Sequence, residues 1–201
     1  LLAPQLASGL IGHLLGAISG GAQYRKATFL LDSVGQQVLP DWLSLQESPL
    51  LPRSLGAAYF DGDGVATRDN CFVANGILQS YVLSEYSARR LGLQTTANAG
   101  GVHNLSMHGP SVNPAKLFKE MGTGLYICEL MGQGVNGVTG DYSRGAAGYW
   151  VENGEIVYPV DEFTIAGNLR DMLNEIVAMG DDVDLRGNIS CLLYTSPSPR
   201  D

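Results

Sequence analysis

The sequence predicts an α+β fold, with a largely antiparallel β-sheet and a few packed helices. Two Asn-Gly dipeptides, Asn75-Gly76 and Asn153-Gly154, lie between apolar runs, as they do in two-residue β-hairpins. The segment Asn168–Met179 has apolar residues at helical spacing. The elements follow the order helix, strands, helix, strands, helix, and such separate runs favour antiparallel strand pairing.

The first predicted helix is Gln5–Ser19, and Gly20-Gly21 is expected to end it. Its apolar stripe consists of Leu6, Leu10, Leu14, Ala17 and Ile18. Gly9, Gly12 and Gly16 each lower helix propensity by about 1 kcal/mol, which indicates close approach of another backbone. Although Leu1–Tyr24 has no formal charge, polar residues and glycines interrupt it, so a buried helix is favoured over a membrane span.

Short strands and turns are expected next. The predicted strands are Thr28–Leu31, Gln37–Leu39, Leu55–Phe60 and Val65–Arg68. Pro40–Ser54 is rich in Pro and Ser and is predicted to be a loop. The segment 61–64 begins like a calcium-binding loop, but Val65, Ala66 and Phe72 stand where such a loop needs Asp or Asn, Gly and Glu. We therefore interpret it as a turn.

The remaining elements carry clear end signals. Cys71–Ala74 and Ile77–Leu83 form the clearest hairpin, around Asn75-Gly76. One predicted helix runs from the cap Ser84 to Leu91, and Gly92 ends it. A second covers Pro114–Met121, with Asn113 as its cap and Gly122 after it. The third covers Asn168–Met179, with Asn168 and Asp171 as a capping box and Gly180 at its end. Leu125–Met131, Gly148–Val151 and Glu155–Val160 are the predicted strands of this half.

Composition restricts the function classes. The net charge is −8, and no basic cluster is longer than two residues. A nucleic-acid surface needs basic residues gathered on one face, so this class is excluded. Cys71, Cys128 and Cys191 are odd in number and far apart, which favours reduced thiols in the cytoplasm over a disulfide framework.

A resemblance to a known family is carried by the glycine-dense block Gly122–Leu169, GTGLYICELMGQGVNGVTGDYSRGAAGYWVENGEIVYPVDEFTIAGNL. It resembles the C-terminal domain of the TldD/PmbA family, in its PmbA (TldE) branch. Ile18–Trp42 and Ser84–Leu93 extend the resemblance, which covers residues 1–190. It implies a TldD/PmbA C-terminal domain over 1–190, from a fragment that lacks an N-terminal domain. The segment 191–201, CLLYTSPSPRD, has the composition of a translated sequencing adapter, and we expect it to be a non-native tail.

The resemblance also bears on catalysis. In the TldD branch the first helix carries HExxxH, in which two histidines bind a metal and the glutamate handles protons. Aligning His13 with the last position places Ser8 at the first histidine and Gly9 at the glutamate. Neither residue replaces a zinc-binding imidazole or a general base. His13 is thus a vestigial candidate, and a lone histidine beside an apolar stripe is usually a satisfied core residue. We expect no catalytic residue, metal or cofactor in this chain, and zinc in a TldD-like partner.

The glycine-rich stretch 132–137 formally matches GxGxxG. A dinucleotide site needs a helix that starts in the motif, whereas the helix-breaking segment 138–141 follows here. We interpret the stretch as a loop whose bare backbone contacts a peptide or a partner. Asp141 and Arg144 are expected to provide an ion pair or hydrogen bonds there, or only a surface salt bridge. The predicted contact residues are Gly132, Gly134, Asn136, Gly137, Asp141 and Arg144.

Other candidate sites are weaker. His103 and His108 lie five residues apart without a Cys or carboxylate at ligand spacing, so a metal site is not favoured there. Cys128 lies in an apolar strand and is interpreted as a core residue, not a nucleophile.

The sequence therefore predicts a non-catalytic PmbA/TldE-type subunit of a cytosolic TldD/TldE metallopeptidase. Its expected partners are a TldD-like paralogous subunit and a peptide or unfolded protein substrate. Two alternatives stay open: an independently active metallopeptidase that uses His13, Cys191 and a further, unidentified group, and a metal-free peptide-binding protein.

Overall fold

The structure is a computed structural model, and it describes residues 1–182, 187–190 and 194–195. Its α-helices are α1 (Pro4–Ala17), α2 (Gly20–Tyr24), α3 (Glu85–Leu91), α4 (Pro114–Met121) and α5 (Leu169–Asn174). Its strands are β1 (Ser44–Glu47), β2 (Asn70–Ala74), β3 (Ile77–Leu78), β4 (Leu105–His108), β5 (Gly124–Met131), β6 (Asp141–Glu152), β7 (Glu155–Asn168), β8 (Ala178–Met179), β9 (Ile189–Ser190) and β10 (Tyr194–Thr195). In the described residues, no helix is long and apolar enough to cross a membrane.

The strands form a five-stranded sheet in the order β3-β2-β1-β4-β9 and a three-stranded meander in the order β5-β6-β7. All pairs in these sheets are antiparallel except β4–β9, which is parallel. The α+β prediction is therefore confirmed. β8 pairs with β10, so two residues of the predicted adapter-derived tail pair with the domain. The rest of that segment lies outside the described residues.

One face of α1 supplies the centre of the core. Leu10, Ile11 and Leu14 are buried, and they share one hydrophobic cluster with residues of β1, β2, β4 and α5. Hydrophobic burial of this face fixes the rotation of α1. The opposite face, which carries the glycines, consequently points outward.

The predicted turns and the caps at Ser84, Asn113 and Asn168 are confirmed, whereas the capping box predicted between Asn168 and Asp171 is not formed. Asn75 and Gly76 both have positive φ, at 48° and 77°, as a type I′ hairpin requires, and Asn153-Gly154 repeats the pattern at 52° and 78°. Ser84 and Ser87 form a capping box on α3, which Gly92 ends with a left-handed φ of 68°. Asn113 caps α4 and Asn168 caps α5 through their side-chain oxygens.

Other boundaries are wrong. α1 ends at Ala17, and Gly20-Gly21 opens α2 instead of only ending a helix, because the Ser19 side chain accepts a hydrogen bond from the Ala22 amide. The four short strands predicted between residues 28 and 68 are turns and coil with two isolated bridges. The helix predicted over Asn168–Met179 ends at Asn174, because the backbone that follows pairs with Val112, through the Met179 carbonyl and a Val112–Gly180 bridge.

Candidate functional site

A cleft lies between α1 and the segment that connects β5 to β6. Two cavities form it, with volumes of about 320 and 200 Å³, and both are lined by His13 and Arg144. The first is also lined by Gly12, Gly16, Gly132 and Gly137, and the second by Ser8, Gly9, Tyr142 and Met172. We call this site the α1 cleft. It unites the helix positions and the glycine-rich loop, which the sequence presented as separate features.

The α1 wall of the cleft consists largely of backbone. Gly9, Gly12 and Gly16 are exposed, and a Cβ atom on any of them would meet nothing within 4 Å. Packing among the described residues therefore does not require these glycines. Nor does any described backbone make the close approach that the sequence predicted, so this wall is accessible to another molecule.

The three helix positions identified by the resemblance line the same cavity. Ser8 Oγ donates a hydrogen bond to the Gln5 carbonyl at 2.9 Å, and Gly9 offers no side chain. His13 is the one imidazole there. Across residues 1–182 and the short described segments beyond, no group of three His, Cys, Asp or Glu residues is placed to hold a metal ion. Cys191 lies outside the described residues.

His13 is half-buried, and its ring stands edge-on to Tyr142, with 6.0 Å between centroids and 77° between planes. Burial lowers the pKa of His13, and the positive charge of Arg144 lowers it further. The imidazole is consequently neutral near pH 7 and can donate one hydrogen bond and accept another.

Among the described residues that line the cleft, Arg144 is the charged one. Its guanidinium donates a hydrogen bond to the Leu130 carbonyl at 3.2 Å, whereas its Nε is buried and has no partner among the described residues. The described ion pairs do not include Arg144. The predicted ion pair with Asp141 is not formed, because residues three apart on a strand face opposite sides. Asp141 instead accepts a hydrogen bond from Thr139 Oγ1 at 2.6 Å.

The glycine-rich loop is held by hydrogen bonds within its own segment. Asn136 Oδ1 accepts hydrogen bonds from the amides of Val138 and Thr139. A Cβ atom on Gly134 would overlap the Ser143 carbonyl, so Gly134 is required inside this chain. By contrast, Cβ atoms on Gly132 and Gly137 would meet nothing within 4 Å, and both residues line the cleft. No helix starts in this loop, which agrees with the rejection of a dinucleotide motif.

The sequence analysis assigned no role to Tyr142. It lies two residues before Arg144 on β6, so the two side chains share a face of the sheet. Burial raises the pKa of Tyr142 and outweighs the opposing effect of Arg144, so its hydroxyl stays protonated. Its position two residues before Arg144, the spacing of side chains on one face of a strand, is the signal that could have identified it.

The other candidates are structural. His103 Nδ1 lies 3.0 Å from the buried Glu47 carboxylate, and His108 Nε2 lies 2.8 Å from Ser106 Oγ. Asp61 Oδ1 accepts hydrogen bonds from the amides of Asp63 and Val65 within its predicted turn. Burial raises the pKa of the Cys128 thiol, which disfavours the nucleophilic thiolate.

The sequence is similar to one protein family and to several known proteins. Residues 1–192 match the PmbA/TldA metallopeptidase C-terminal domain family. Metalloprotease PmbA of Escherichia coli O157:H7 is 56% identical over 191 residues, which cover 95% of this chain and 42% of that protein. A Metalloprotease PmbA homolog of Haemophilus influenzae is 54% identical, over 92% of this chain and 41% of that protein. The chain thus spans less than half the length of these relatives.

Solved structures share the fold. A Bacteroides thetaiotaomicron protein described as a candidate modulator of DNA gyrase matches with a TM-score of 0.89 and 30% identity, over 97% of this chain and 45% of that one. TldE of Thermococcus kodakarensis matches with a TM-score of 0.83 and 24% identity, over 96% of this chain and 47% of that one. At that identity, the second match demonstrates the fold alone.

Proposed function

Because the chain belongs to the PmbA/TldA metallopeptidase C-terminal domain family, we propose that it is the non-catalytic, PmbA/TldE-type part of a two-subunit cytosolic metallopeptidase. A TldD-like paralogue supplies the zinc and the general base. This chain contributes the α1 cleft, which binds and orients a peptide or a segment of an unfolded protein.

One observation carries the non-catalytic role. Ser8, Gly9 and His13 line one cavity, yet they provide a hydroxyl, a bare backbone and one imidazole. A catalytic zinc site takes three protein ligands and leaves one position open for water. The described residues around this cavity do not offer such a set. Zinc chemistry therefore belongs to the partner in this proposal.

The cleft is suited to binding an extended chain. The exposed glycines on α1 and in the loop leave room for the main chain of a peptide to approach closely. Neutral His13 and the protonated hydroxyl of Tyr142 offer hydrogen bonds without adding charge. Holding the peptide in one orientation lowers the entropic cost of its cleavage in the partner's site.

The test is peptide turnover by the reconstituted pair. Full-length protein that contains this chain is expected to leave an unstructured peptide intact, whereas its mixture with the TldD-like paralogue gives chelator-sensitive cleavage. His13→Ala should keep most of the turnover, and replacing the glutamate of the partner's HExxxH should abolish it. If His13→Ala abolishes turnover while the pair still assembles and still binds the peptide, this chain is catalytic and the proposal fails.

A further inference from the structure

Charge is distributed unevenly around the α1 cleft. The sequence carries 20 acidic and 12 basic residues. None of the acidic residues that the structure describes lines either cavity, and Arg144 lines both. A cleft whose described lining has one positive charge and no carboxylate, in a chain with a net charge of −8, selects for an anionic group.

The surroundings of Arg144 favour a particular anion. Its guanidinium uses one NH₂ group on the Leu130 carbonyl, while Nε is buried without a partner among the described residues. A buried donor without a partner is costly, and this cost is relieved when an acceptor arrives. The planar guanidinium matches a carboxylate in two parallel hydrogen bonds.

We infer that the α1 cleft binds a carboxylate of the peptide through Arg144, with His13 and Tyr142 beside it. The inference rests on the proposed function, because the carboxylate belongs to the peptide which that function handles. The larger cavity, at about 320 Å³, lies at the lower end of the sizes typical of small-ligand sites. It accommodates a short peptide segment and not a folded domain. Either the C-terminal α-carboxylate or an Asp or Glu side chain offers this chemistry.

The experiment measures binding of defined peptides to the 201-residue chain, without partner and without turnover. One N-acetylated pentapeptide of Ala and Leu is prepared as the free acid and as the C-terminal amide. A second pair, both amides, carries Glu or Gln at the central position. Dissociation constants are measured by calorimetry or by NMR titration.

One carboxylate form is expected to bind roughly tenfold more tightly than its neutral counterpart, as a charge-assisted hydrogen bond to a guanidinium with a buried, unpaired Nε predicts. A preference for the free acid identifies the α-carboxylate, and a preference for Glu identifies a side chain. Arg144→Gln should abolish the preference, and Arg144→Lys should retain part of it. Arg89→Gln removes the same charge from the exposed surface of α3 and should leave the preference unchanged.

Equal affinities within each pair, absence of binding, or a preference that survives in Arg144→Gln would overturn the inference. The acid-against-amide comparison uses unaltered protein, so it remains decisive if the Arg144 variants fold poorly. Turnover by the reconstituted pair without any carboxylate preference would refute this inference and leave the proposed function standing. A carboxylate preference without turnover would support this inference and refute the proposed function.

Discussion

The Glu47 carboxylate is expected to be a main determinant of stability. Its side chain is 0% exposed. Oε1 accepts hydrogen bonds from Asn98 Nδ2 at 2.7 Å and from the His103 amide at 2.6 Å, and it lies 3.0 Å from His103 Nδ1. Oε2 accepts one from Asn70 Nδ2 at 2.6 Å. One side chain on β1 thus connects β2 to the loop that precedes β4.

Glu47→Ala removes the acceptor for all these donors. Asn70 and Asn98 each keep one backbone carbonyl partner, at Thr96 and Gly101. His103 keeps none of the contacts made by its amide and Nδ1 to this carboxylate. A buried donor left unpaired costs about 1–3 kcal/mol, and the truncation also leaves a cavity. The expected loss is about 3–5 kcal/mol, a large part of the roughly 5–15 kcal/mol typical of a domain.

Glu47→Gln separates charge from shape. The glutamine amide fills the same space as the carboxylate. If its NH₂ group takes the place of Oε2, it faces the NH₂ group of Asn70, which is also a donor, unless the Asn70 side chain rotates. That rotation would break the hydrogen bond from Asn70 to the Thr96 carbonyl. We expect a loss of about 1–2 kcal/mol. Glu155→Gln, on an exposed position of β7, is the matched control and should change stability by less than about 0.5 kcal/mol.

Urea denaturation followed by circular dichroism gives the free energy of unfolding of each variant. The expected order of stability is wild type and Glu155→Gln first, then Glu47→Gln, then Glu47→Ala. If the free energy of unfolding of Glu47→Ala lies within about 1 kcal/mol of the wild-type value, the carboxylate does not hold these segments together, and the reasoning is refuted.

Three further predictions concern metal, glycines and the tail. Purified protein should hold less than about one-tenth equivalent of zinc by mass spectrometry, because one imidazole does not make a site; near-stoichiometric zinc that is lost in His13→Ala would contradict this. In urea denaturation, Gly12→Ala should raise the free energy of unfolding by about 1 kcal/mol through helix propensity, since its Cβ meets nothing within 4 Å. In the loop, Gly134→Ala should lower it by about 1–3 kcal/mol through overlap with a β6 carbonyl, while Gly137→Ala should leave it nearly unchanged. Equal free energies of unfolding for the two loop variants would count against the loop geometry. Deletion of residues 191–201 should leave the melting temperature within about 2 °C although β10 pairs with β8, because a two-residue strand pair at a chain end adds little stability; a drop of ten degrees or more would mark the tail as part of the fold.

The sequence predicted best where local chemistry decides the structure. The Asn-Gly turns and the caps at Ser84 and Asn113 depend on residues within four positions, so they are readable without the fold. β1 was missed because a carboxylate occupies one of its inward positions. Leu43, Leu45 and Glu47 are all buried, and their alternation indicates a strand only once the partners of Glu47 are known.

The end of α5 shows a different limit. Val177 fits the helical stripe of the sequence, yet it is 60% exposed, because the chain leaves the helix after Asn174. The backbone of Met179 accepts a hydrogen bond from the Val112 amide, and Gly180 forms a parallel bridge with Val112. Pairing with distant segments overrides helix propensity here, and no local pattern reports such partners.

The α1 cleft required both kinds of information. Three glycines in one helix cost about 3 kcal/mol of propensity, and the sequence alone attributes that cost to a neighbouring backbone. The structure places no described backbone against them, and it places Arg144, from a strand more than a hundred residues away in sequence, at the same cavities. A local rule broken without a compensating contact inside the chain is expected at functional sites. The glycines and Arg144 therefore both support the proposed ligand, a peptide that presents its main chain to α1 and a carboxylate to Arg144.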